Sequence, residues 1–468
     1  MRFAQMGWCA LITALAAYTL VVSPLSAAEP PLLERLRGGG RPNIIFILAD
    51  DLGYGDLGCY GQQKIRTPNL DRLAAEGMRF TQCYAGSTVC APSRSCLMTG
   101  LHTGHTRIRG NADVPLEAGD VTVAELLQRA GYSTGAFGKW GLGLEGTSGH
   151  PNKKGFEEWF GYLDQTHAHD YYPTQLYRND QVFILEANLN GRKGQYSHDL
   201  ISQVASNFIR VSRTVPFFMY LAYTIPHAHN ELKDRGMEVP SDAPYTQENW
   251  PQMEKNKAAM ITRLDRDVGA ILDQLARLKL DQRTLIFFSS DNGPHKEGGV
   301  DPAFFQSAGP LRGIKRDLYE GGIRVPMIAR WPGRIKAGSV SDQVWAFWDF
   351  LPTVAELARV KPPAGLDGIS IVPTLLGQTQ TNQHEFLYWE FHEKGSKQAV
   401  RMGDWKAVRL ALGAPLELYN LKTDLGETNN VAAHHPEVVA KIEAYLQTAR
   451  TDSTHWPLKP PPAPAARQ

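Results

Sequence analysis

The amino-acid sequence predicts an α/β domain with a mainly parallel central sheet, followed by a smaller C-terminal α+β subdomain with an antiparallel sheet. Short, unbroken apolar runs recur along most of the chain, as is typical of strands buried on both faces of a parallel sheet. Segments with helical periodicity lie between these runs, and this alternation indicates an α/β fold. Near the C-terminus the pattern changes to short strands separated by tight turns, which indicates antiparallel pairing.

The main domain is predicted to cover residues 43–375 and the C-terminal subdomain 380–455, with a Pro-rich tail at 456–468. The predicted buried strands are 43–49, 132–137, 215–223 and 284–290. Helices are predicted to begin after Thr67 as the N-cap and to cover 122–131, 198–213, 251–280 and 435–449. Thr122 and Glu125 have the spacing of a capping box, which supports the helix start at that point.

The first 28 residues have the features of a secretory signal peptide. Arg2 precedes a long apolar run, and the small residues Ser26 and Ala28 occupy the positions expected of a cleavage site before Glu29. The alternative is an uncleaved membrane anchor, because the apolar run approaches the length that spans a bilayer. Cleavage is the favoured interpretation, and it predicts a secreted or periplasmic protein without stable membrane insertion.

The charge balance gives no sign of a nucleic-acid partner or of an acidic tail. Among 468 residues, 49 are Lys or Arg and 48 are Asp or Glu, so the formal net charge is +1. We therefore expect no nucleic-acid partner. The cysteines after the predicted signal peptide are too few for a disulfide scaffold, and no pairing follows from the sequence. They are Cys59, Cys83, Cys90 and Cys96.

Charged and amide side chains follow each of the four predicted strands. They are Asp50 and Asp51, Lys139, His227 and His229, and Asp291 and Asn292. Because ligands of open α/β sheets bind beyond the carboxyl ends of the strands, these side chains predict a functional site. The oxygen ligands suit calcium or magnesium rather than zinc. A turn or helix cap would explain either acidic pair alone, whereas two such pairs at matching strand ends favour a metal site.

The segment CAPSRSCLMTG (90–100) places a cysteine where a helix is predicted to begin. Pro92 suits the first turn of a helix, so Cys90 would stand at the N-terminus, where free N–H groups and the helix dipole favour anions. Arg94 lies four residues on and therefore on the same face as Cys90. This setting predicts a reactive Cys90 thiol with a lowered pKa, and an anionic substrate. The alternative is a packed cysteine before an unrelated Pro-Ser-Arg.

The same segment resembles the sulfatase signature C-x-P-S-R-x-x-x-x-T-G, and the resemblance extends over nearly all of the chain after the predicted signal peptide. It includes NIIFILADDLGYGDLGCYG, AFGKWGLG, YTIPHAHN, SSDNGP and GPLRGIKRDLYEGGIRVP. The resemblance implies an alkaline-phosphatase-like sandwich and a sulfuric ester hydrolase. It also implies that a maturation enzyme oxidises Cys90 to formylglycine (3-oxoalanine), whose hydrate is the nucleophile. One hydroxyl of such a hydrate attacks sulfur and the other later expels sulfate, which an ordinary serine cannot do.

The resemblance also implies roles for individual residues. The implied calcium ligands are Asp50, Asp51, Asp291 and Asn292, with residue 90 completing the shell. Arg94 would orient the aldehyde hydrate, and Lys139 and Lys315 would bind the sulfate group. His227 would protonate the leaving alcohol, a step that suits an imidazole near neutral pH. Calcium and the three cationic side chains would stabilise the charge that develops on the sulfate oxygens.

One position departs from the family pattern. Many sulfatases have GKWHLG, whereas this chain has GKWGLG, with Gly141 in place of a histidine that is usually given a role in binding and expelling sulfate. Two interpretations are open: another group takes over that role, or the vacated space admits part of the substrate. The second is favoured, since glycine lets a backbone or a ligand approach closely.

A stretch rich in histidine and tyrosine, residues 162–179, is a candidate wall of a sugar pocket. His167 and His169 in this stretch, together with His229, are the predicted substrate-binding histidines. A structured loop with satisfied polar groups would explain the stretch equally well. The strings DQTHAHDYYP and IPHAHNEL resemble bacterial polysaccharide sulfatases that act on sulfated galactose or N-acetylgalactosamine. The predicted substrate is therefore a sulfated saccharide or an aryl sulfate, and the predicted role is polysaccharide degradation.

Two rival functions remain. A phosphoesterase of the same superfamily usually has a threonine or serine nucleophile and two zinc ions with several histidine ligands. Cys90 and Asn292 at the matching positions disfavour it, and bound calcium rather than zinc would separate the two. A non-catalytic sulfoglycan-binding protein would keep the cationic clamp and an unmodified Cys90.

Overall fold

The computed structural model describes residues 40–462, so the predicted signal peptide over 1–28 lies outside the described residues. The strands in this range are β1 Asn43–Ala49, β2 Met78–Tyr84, β3 Ser133–Lys139, β4 Glu158–Tyr162, β5 Gln175–Arg178, β6 Gln181–Ile184, β7 Phe217–Ala222, β8 Thr284–Ser290, β9 Arg324–Arg330, β10 Ser339–Ser341, β11 Trp345–Ala346, β12 Leu387–Phe391, β13 Lys397–Met402, β14 Trp405–Arg409 and β15 Glu417–Asn420. The α-helices in the same range are α1 Pro68–Ala75, α2 Cys90–Thr99, α3 Val123–Arg129, α4 Ser197–Ser212, α5 Gln252–Arg277, α6 Glu320–Ile323, α7 Phe350–Ala358, α8 Val372–Leu375 and α9 Pro436–Leu446. Within residues 40–462 no helix combines the length and the hydropathy needed to cross a membrane.

The central sheet brings the carboxyl ends of four parallel strands together. Its strand order in the described chain is β10-β2-β9-β8-β1-β7-β3-β4-β5-β6, with β11 also paired to β2. β1 is parallel to both of its neighbours, β7 and β8, and β3 is parallel to β7. β9 runs antiparallel between β2 and β8, and β5 and β6 form an antiparallel edge. The predicted mainly parallel sheet is confirmed, and the four strand ends that carry the predicted site are neighbours.

Strand β1 is buried on both faces. Ile45 and Ile47 belong to the core that contains Ile261 of α5. The Phe46 ring packs on the ring of Phe350 in α7, with centroids 4.8 Å apart. Burial on both sides explains why this run is apolar throughout. Each such side chain contributes about 1.5–3 kcal/mol relative to an exposed one, so the strand is a rigid base for the residues that follow it.

Two predicted helix starts are confirmed, but only one of them has the predicted capping contact. Thr122 Oγ1 accepts from the Glu125 N–H at 3.2 Å and Glu125 Oε2 accepts from the Thr122 N–H at 2.9 Å, which is the predicted capping box of α3. Helix α1 begins at Pro68, but Thr67 makes no capping bond to it. The Thr67 hydroxyl instead accepts from the Gly58 N–H at 2.8 Å, so the capping prediction is wrong there.

The C-terminal strands β12 to β15 form the predicted antiparallel sheet, paired in chain order. A buried ion network joins this sheet to the main domain, with Lys406 Nζ 3.0 Å from Glu320 Oε1 and 3.5 Å from Glu427 Oε1. The first residues of the Pro-rich tail also contact the body, because Trp456 Nε1 donates to the carbonyl oxygen of Arg107 at 3.0 Å.

Candidate active site

Four oxygen-bearing side chains converge where β1 and β8 end. Asp50, Asp51, Asp291 and Asn292 are all fully buried. The Asp51 N–H donates to Asp291 Oδ1 at 3.2 Å, and Asn292 Nδ2 donates to Asp51 Oδ1 at 2.7 Å. Asp51 has a left-handed backbone, with φ of 65°. Such conformations cost of order 1–3 kcal/mol and cluster at functional sites. The two acidic pairs therefore face each other and do not serve only as separate turns.

The donor set fits a calcium ion. Asn292 Oδ1 is buried and has no hydrogen-bond partner within residues 40–462, although buried acceptors are rarely left unpaired. Burial, reinforced by Asp50, raises the pKa of Asp291 to about 7. Burial and the neighbouring carboxylates thus disfavour the charged form of Asp291 when no cation is bound. A hard divalent cation with oxygen ligands would satisfy both the orphan acceptor and the crowded carboxylates.

Cys90 is the first residue of α2, as predicted, but its thiol is not activated. Its Sγ is buried and lies 3.4 Å from Asp50 Oδ1. Burial, together with Asp50, raises the pKa of the Cys90 thiol well above its ordinary value. The predicted lowered pKa is therefore wrong, because desolvation and the neighbouring carboxylates outweigh the helix dipole and the nearby lysines. The unmodified Cys90 is a protonated thiol and not a thiolate nucleophile.

Arg94 joins the helix that carries Cys90 to the strand ends. Its Nη2 lies 2.7 Å from Asp291 Oδ2 and 3.2 Å from Asp50 Oδ2, and its Nη1 donates to the carbonyl oxygen of Lys139 at 2.8 Å. Burial opposes the charge, but Asp291 and Asp50 more than offset this and raise the pKa of Arg94. One planar guanidinium therefore fixes α2 against β1, β3 and β8.

Two lysines complete a buried set of cations. Lys139 Nζ lies 2.7 Å from Asp50 Oδ2, and Lys315 Nζ lies 2.8 Å from Asp51 Oδ2. Burial opposes both charges, but Asp50 raises the pKa of Lys139 and Asp51 raises the pKa of Lys315. Together with Arg94 these lysines form ion pairs with all three carboxylates of Asp50, Asp51 and Asp291. A divalent cation would make the pocket net positive, which favours an anionic ligand.

His227 lies beside Lys315, and its two ring nitrogens have different roles. Nδ1 donates to the carbonyl oxygen of Ala228 at 2.6 Å, so Nε2 is unprotonated and accepts from Lys315 Nζ at 3.1 Å. Burial and Lys315 lower the pKa of His227 well below its ordinary value. In the free protein His227 is therefore neutral, and the proton nearest to Nε2 belongs to Lys315. The predicted donor role requires that proton, or one gained when substrate binds.

The three histidines predicted to bind substrate have different surroundings. His169 stacks on His227, with ring centroids 4.7 Å apart and an interplanar angle of 13°. His229 forms a 2.6 Å contact with Glu238 through Nδ1. His167 packs edge-on against a tyrosine ring. The structure thus brings His169 to the catalytic histidine candidate, and His169, like His229, also pairs with a glutamate, with its Nδ1 lying 3.2 Å from Glu231 Oε1.

Two further residues of the site were not predicted. The His295 ring centroid lies 6.1 Å from that of His227, and Glu297 Oε2 lies 3.4 Å from Lys315 Nζ. Both follow Asn292 in the loop after β8. The sequence could have indicated both residues, because they come shortly after the predicted ligands Asp291 and Asn292 at the end of a strand.

Gly141, where the sequence departs from the family pattern, leaves no empty space for a side chain. Its φ of 74° is a left-handed conformation that suits glycine. A Cβ at this position would lie 1.9 Å from Nε2 of Gln165. The carboxamide of Gln165 therefore occupies the space that a side chain at position 141 would enter, and the favoured interpretation, that this space is vacant and admits substrate, is wrong.

Known proteins resemble this chain over nearly its whole length. The family profile described as Sulfatase matches residues 42–360, and a profile described as N-sulphoglucosamine sulphohydrolase, C-terminal, matches residues 314–452. The N-acetylgalactosamine-6-sulfatase of Rattus norvegicus is 33% identical over 96% of this chain and 86% of its own. The N-acetylgalactosamine-6-O-sulfatase of Bacteroides thetaiotaomicron is 30% identical over 88% and 93% of the two chains. The crystal structure of Ps i-CgsB in complex with k-i-k-neocarrahexaose has a TM-score of 0.76 at 31% identity and covers 88% and 93% of the two chains.

A mainly parallel sheet with buried carboxylates and cations at its carboxyl edge defines this chain as a protein of the sulfatase fold. The chain belongs to the sulfatase family, and it is a sulfuric ester hydrolase.

Proposed function

We propose that this sulfatase hydrolyses the sulfate ester of a sulfated carbohydrate, with N-acetylgalactosamine 6-sulfate or a sulfated galactose unit as the substrate. The observation that carries the proposal is the buried set of Arg94, Lys139 and Lys315 around Cys90. A sulfate ester needs several cations beside its nucleophile to stabilise the transition state. The two relatives named N-acetylgalactosamine-6-sulfatases support this sugar, and the relative in complex with k-i-k-neocarrahexaose supports a saccharide substrate.

Calcium is the proposed metal. Its proposed ligands are Asp50, Asp51, Asp291 and Asn292, together with residue 90. Bound calcium would supply positive charge to the sulfate oxygens. Asp50 and Asp51 bind Lys139 and Lys315 in the free protein, so a cation that competes for these carboxylates would leave both Nζ groups available to the sulfate.

Residue 90 is proposed to act as formylglycine, made from Cys90 by a formylglycine-generating maturation enzyme. The raised pKa of the Cys90 thiol supports this, since a protonated thiol is a poor nucleophile. The aldehyde hydrate would supply the attacking hydroxyl. Arg94 would orient the hydrate of residue 90 towards the sulfate, because its guanidinium is held in place by Asp50 and Asp291.

His227 is the proposed proton donor to the leaving alcohol. Its Nε2 accepts a hydrogen bond from Lys315 in the free protein. A sulfate group bound beside these two side chains would add negative charge and raise the pKa of His227, which favours its protonated form. Proton donation by a positioned group contributes about 10²–10⁴-fold to the rate.

We further propose that the protein is exported, to the periplasm or the exterior, where a polysaccharide substrate is accessible. The predicted signal peptide supports this location. N-terminal sequencing of the exported protein should find Glu29 as the first residue. A chain that remains in the membrane with residues 1–28 attached would instead support the anchor alternative.

A zinc-dependent phosphoesterase is the second candidate, because one observation favours it. Asp50, Asp51, Cys90 and His227 offer ligand atoms that all lie within 4.8 Å of one another. Cysteine and histidine are typical zinc ligands, but this set requires the free thiol of Cys90. Metal content should therefore be measured both with and without maturation. Calcium in the matured protein supports the sulfatase, whereas two zinc ions in it would support the phosphoesterase.

The test of the proposed function uses purified, matured protein with Cys90→Ala as the control. Both proteins are incubated with N-acetylgalactosamine 6-sulfate, galactose 6-sulfate, nitrophenyl sulfate and nitrophenyl phosphate. The proposal predicts sulfate release from at least one sugar sulfate, no release by the control, and little release of phosphate. Faster release of phosphate than of sulfate would favour the phosphoesterase. Sugar binding without hydrolysis by fully matured protein would favour the non-catalytic alternative.

A further inference from the structure

A small cleft beside Gly141 contains an unpaired carboxamide. Oε1 and Nε2 of Gln165 are both buried, and neither has a hydrogen-bond partner in the part of the chain that the structure describes. Leaving a buried polar group unpaired costs about 1–3 kcal/mol. The loop that carries Gln165 is held in place, because the Gly141 N–H donates to the carbonyl oxygen of Leu163 at 3.0 Å. Because buried polar groups are normally hydrogen-bonded, a bound ligand is a candidate partner for this carboxamide.

Two segments that reach the active site form the walls of this cleft. One wall is the segment 141–144, which follows Lys139 of the cationic set. The other is the segment 112–115, which follows Asn111, and the Asn111 side chain accepts from the backbone N–H next to Cys90 at 3.0 Å. The cleft therefore lies beside two segments whose neighbouring residues, Lys139 and Asn111, belong to the surroundings of Cys90.

Size and charge limit what the cleft can hold. Its volume is about 50 Å³. A cavity that binds one benzene molecule measures roughly 150 Å³, so this cleft admits a substituent and not a whole sugar ring. The described residues that line it include two acidic ones, Asp113 and Asp164, and no Lys, Arg or His. An uncharged substituent suits such walls, whereas a second sulfate would be repelled.

We propose that this cleft receives an uncharged, hydrogen-bonding substituent of the substrate sugar, an acetamido or a hydroxyl group, and that Gln165 is its partner. Nε2 donates to the oxygen of the substituent, and Oε1 accepts from its N–H or O–H. Asp113 and Asp164 exclude an additional sulfate at the same position. Gln165 is then a specificity-determining residue. The inference rests on the proposed function at Cys90 and refines its substrate.

The experiment compares kcat/KM of matured protein on N-acetylgalactosamine 6-sulfate, galactose 6-sulfate and nitrophenyl sulfate, which carries no sugar substituent. Gln165→Leu removes both hydrogen bonds at similar volume. We expect kcat/KM to fall by about 10–100-fold on at least one of the two sugar sulfates and to change much less on nitrophenyl sulfate. A larger loss on N-acetylgalactosamine 6-sulfate assigns the acetamido group, and an equal loss on both sugars assigns a hydroxyl group. Gln447→Leu, at an exposed glutamine after α9, is the matched control and should match the wild type.

The exclusion of a second sulfate has its own variant. Asp113→Asn should raise kcat/KM on a sugar that carries an additional sulfate, relative to the monosulfated sugar. If Gln165→Leu does not fold, Gln165→Glu keeps the size and the acceptor but removes the donor, and the same selective loss is expected.

Two results would overturn the inference while the sulfatase function stands. One is unchanged turnover of the sugar sulfate by a folded Gln165 variant, and the other is an equal loss on all three substrates. Failure of the wild-type protein to release sulfate from any of the three substrates would contradict the proposed function itself, and the inference with it.

Discussion

Lys315 donates from Nζ to Nε2 of His227 across 3.1 Å, and the same Nζ lies 2.8 Å from Oδ2 of Asp51, one of the proposed calcium ligands. The contact places a proton beside the nitrogen that is proposed to serve the leaving oxygen. Burial, together with the Lys315 ammonium group, lowers the pKa of His227 and keeps it neutral in the free protein. In the proposed mechanism, sulfate binding raises the pKa of His227, so this pair would couple substrate binding to protonation of the donor.

His227→Ala should lower kcat on a sugar sulfate by about 10²–10⁴-fold, since a sugar alkoxide needs a proton to leave. The loss should be small on nitrophenyl sulfate, whose leaving group is a stable anion. Steady-state kinetics on the two substrates measures the difference. His434→Ala, at an exposed histidine of the C-terminal subdomain, is the control. Equal losses on both substrates would assign His227 a binding role, and a larger selective loss in His229→Ala would move the donor role to that residue.

Asp51→Ala should abolish activity and calcium binding together, because it removes an anionic ligand from a buried divalent site. Calcium at 100 times its dissociation constant should stabilise the wild-type protein by about 2.7 kcal/mol, and this gain should be absent from the variant. Metal analysis and thermal unfolding with and without a chelator measure both effects. Asp452→Ala, at a fully exposed aspartate, is the control. Near-normal activity of Asp51→Ala without bound metal would refute the assignment.

Asn292→Ala tests the unpaired acceptor in the same site. Asn292 Oδ1 has no partner within residues 40–462, and we assign it to the calcium ion. The variant should bind calcium more weakly than the wild type, and added calcium should restore part of its activity because the three carboxylates remain. Calcium titration of activity measures the shift. An unchanged calcium requirement would show that Oδ1 is not a ligand.

Acid should destabilise the fold partly through His102. Burial lowers the pKa of His102 from 6.5 to about 4 in the folded protein. Protonation therefore favours the unfolded chain, and stability that is complete above pH 6.5 is lost as the pH falls towards 4. The contribution is roughly 3 kcal/mol by the free energy of one pKa unit. His102→Asn should flatten the dependence of the unfolding midpoint on pH in this window, and a parallel offset with an unchanged slope would contradict the assignment.

The sequence predicted those parts of the fold that depend on local pattern. β1 and β8 are buried at all seven of their positions, so their apolar runs are unmistakable. β6 is exposed at all four of its positions, and β9 contains Pro326, which argues against a central strand. Neither strand was predicted from the sequence, because each depends on pairing with neighbouring strands of the sheet.

The same holds for the active site: features set by the local sequence were predicted, and features set by residues distant in the sequence were not. The strand-end positions of Asp50 and Asp291, and the helix start at Cys90, were predicted from local signals. The raised pKa of the Cys90 thiol was not, because it depends on burial and on carboxylates that are distant in the sequence. The Gln165 carboxamide beside Gly141 is likewise a tertiary contact without a sequence signal.

The proposed sulfatase chemistry depends on the conversion of Cys90 to formylglycine. The most direct test prepares the protein with graded amounts of a formylglycine-generating enzyme. The fraction of Cys90 converted is measured by peptide mass spectrometry, together with the rate of sulfate release. The rate of sulfate release should be proportional to the converted fraction and fall to zero for unconverted protein. Full activity in a preparation that carries only unmodified cysteine at position 90 would contradict it.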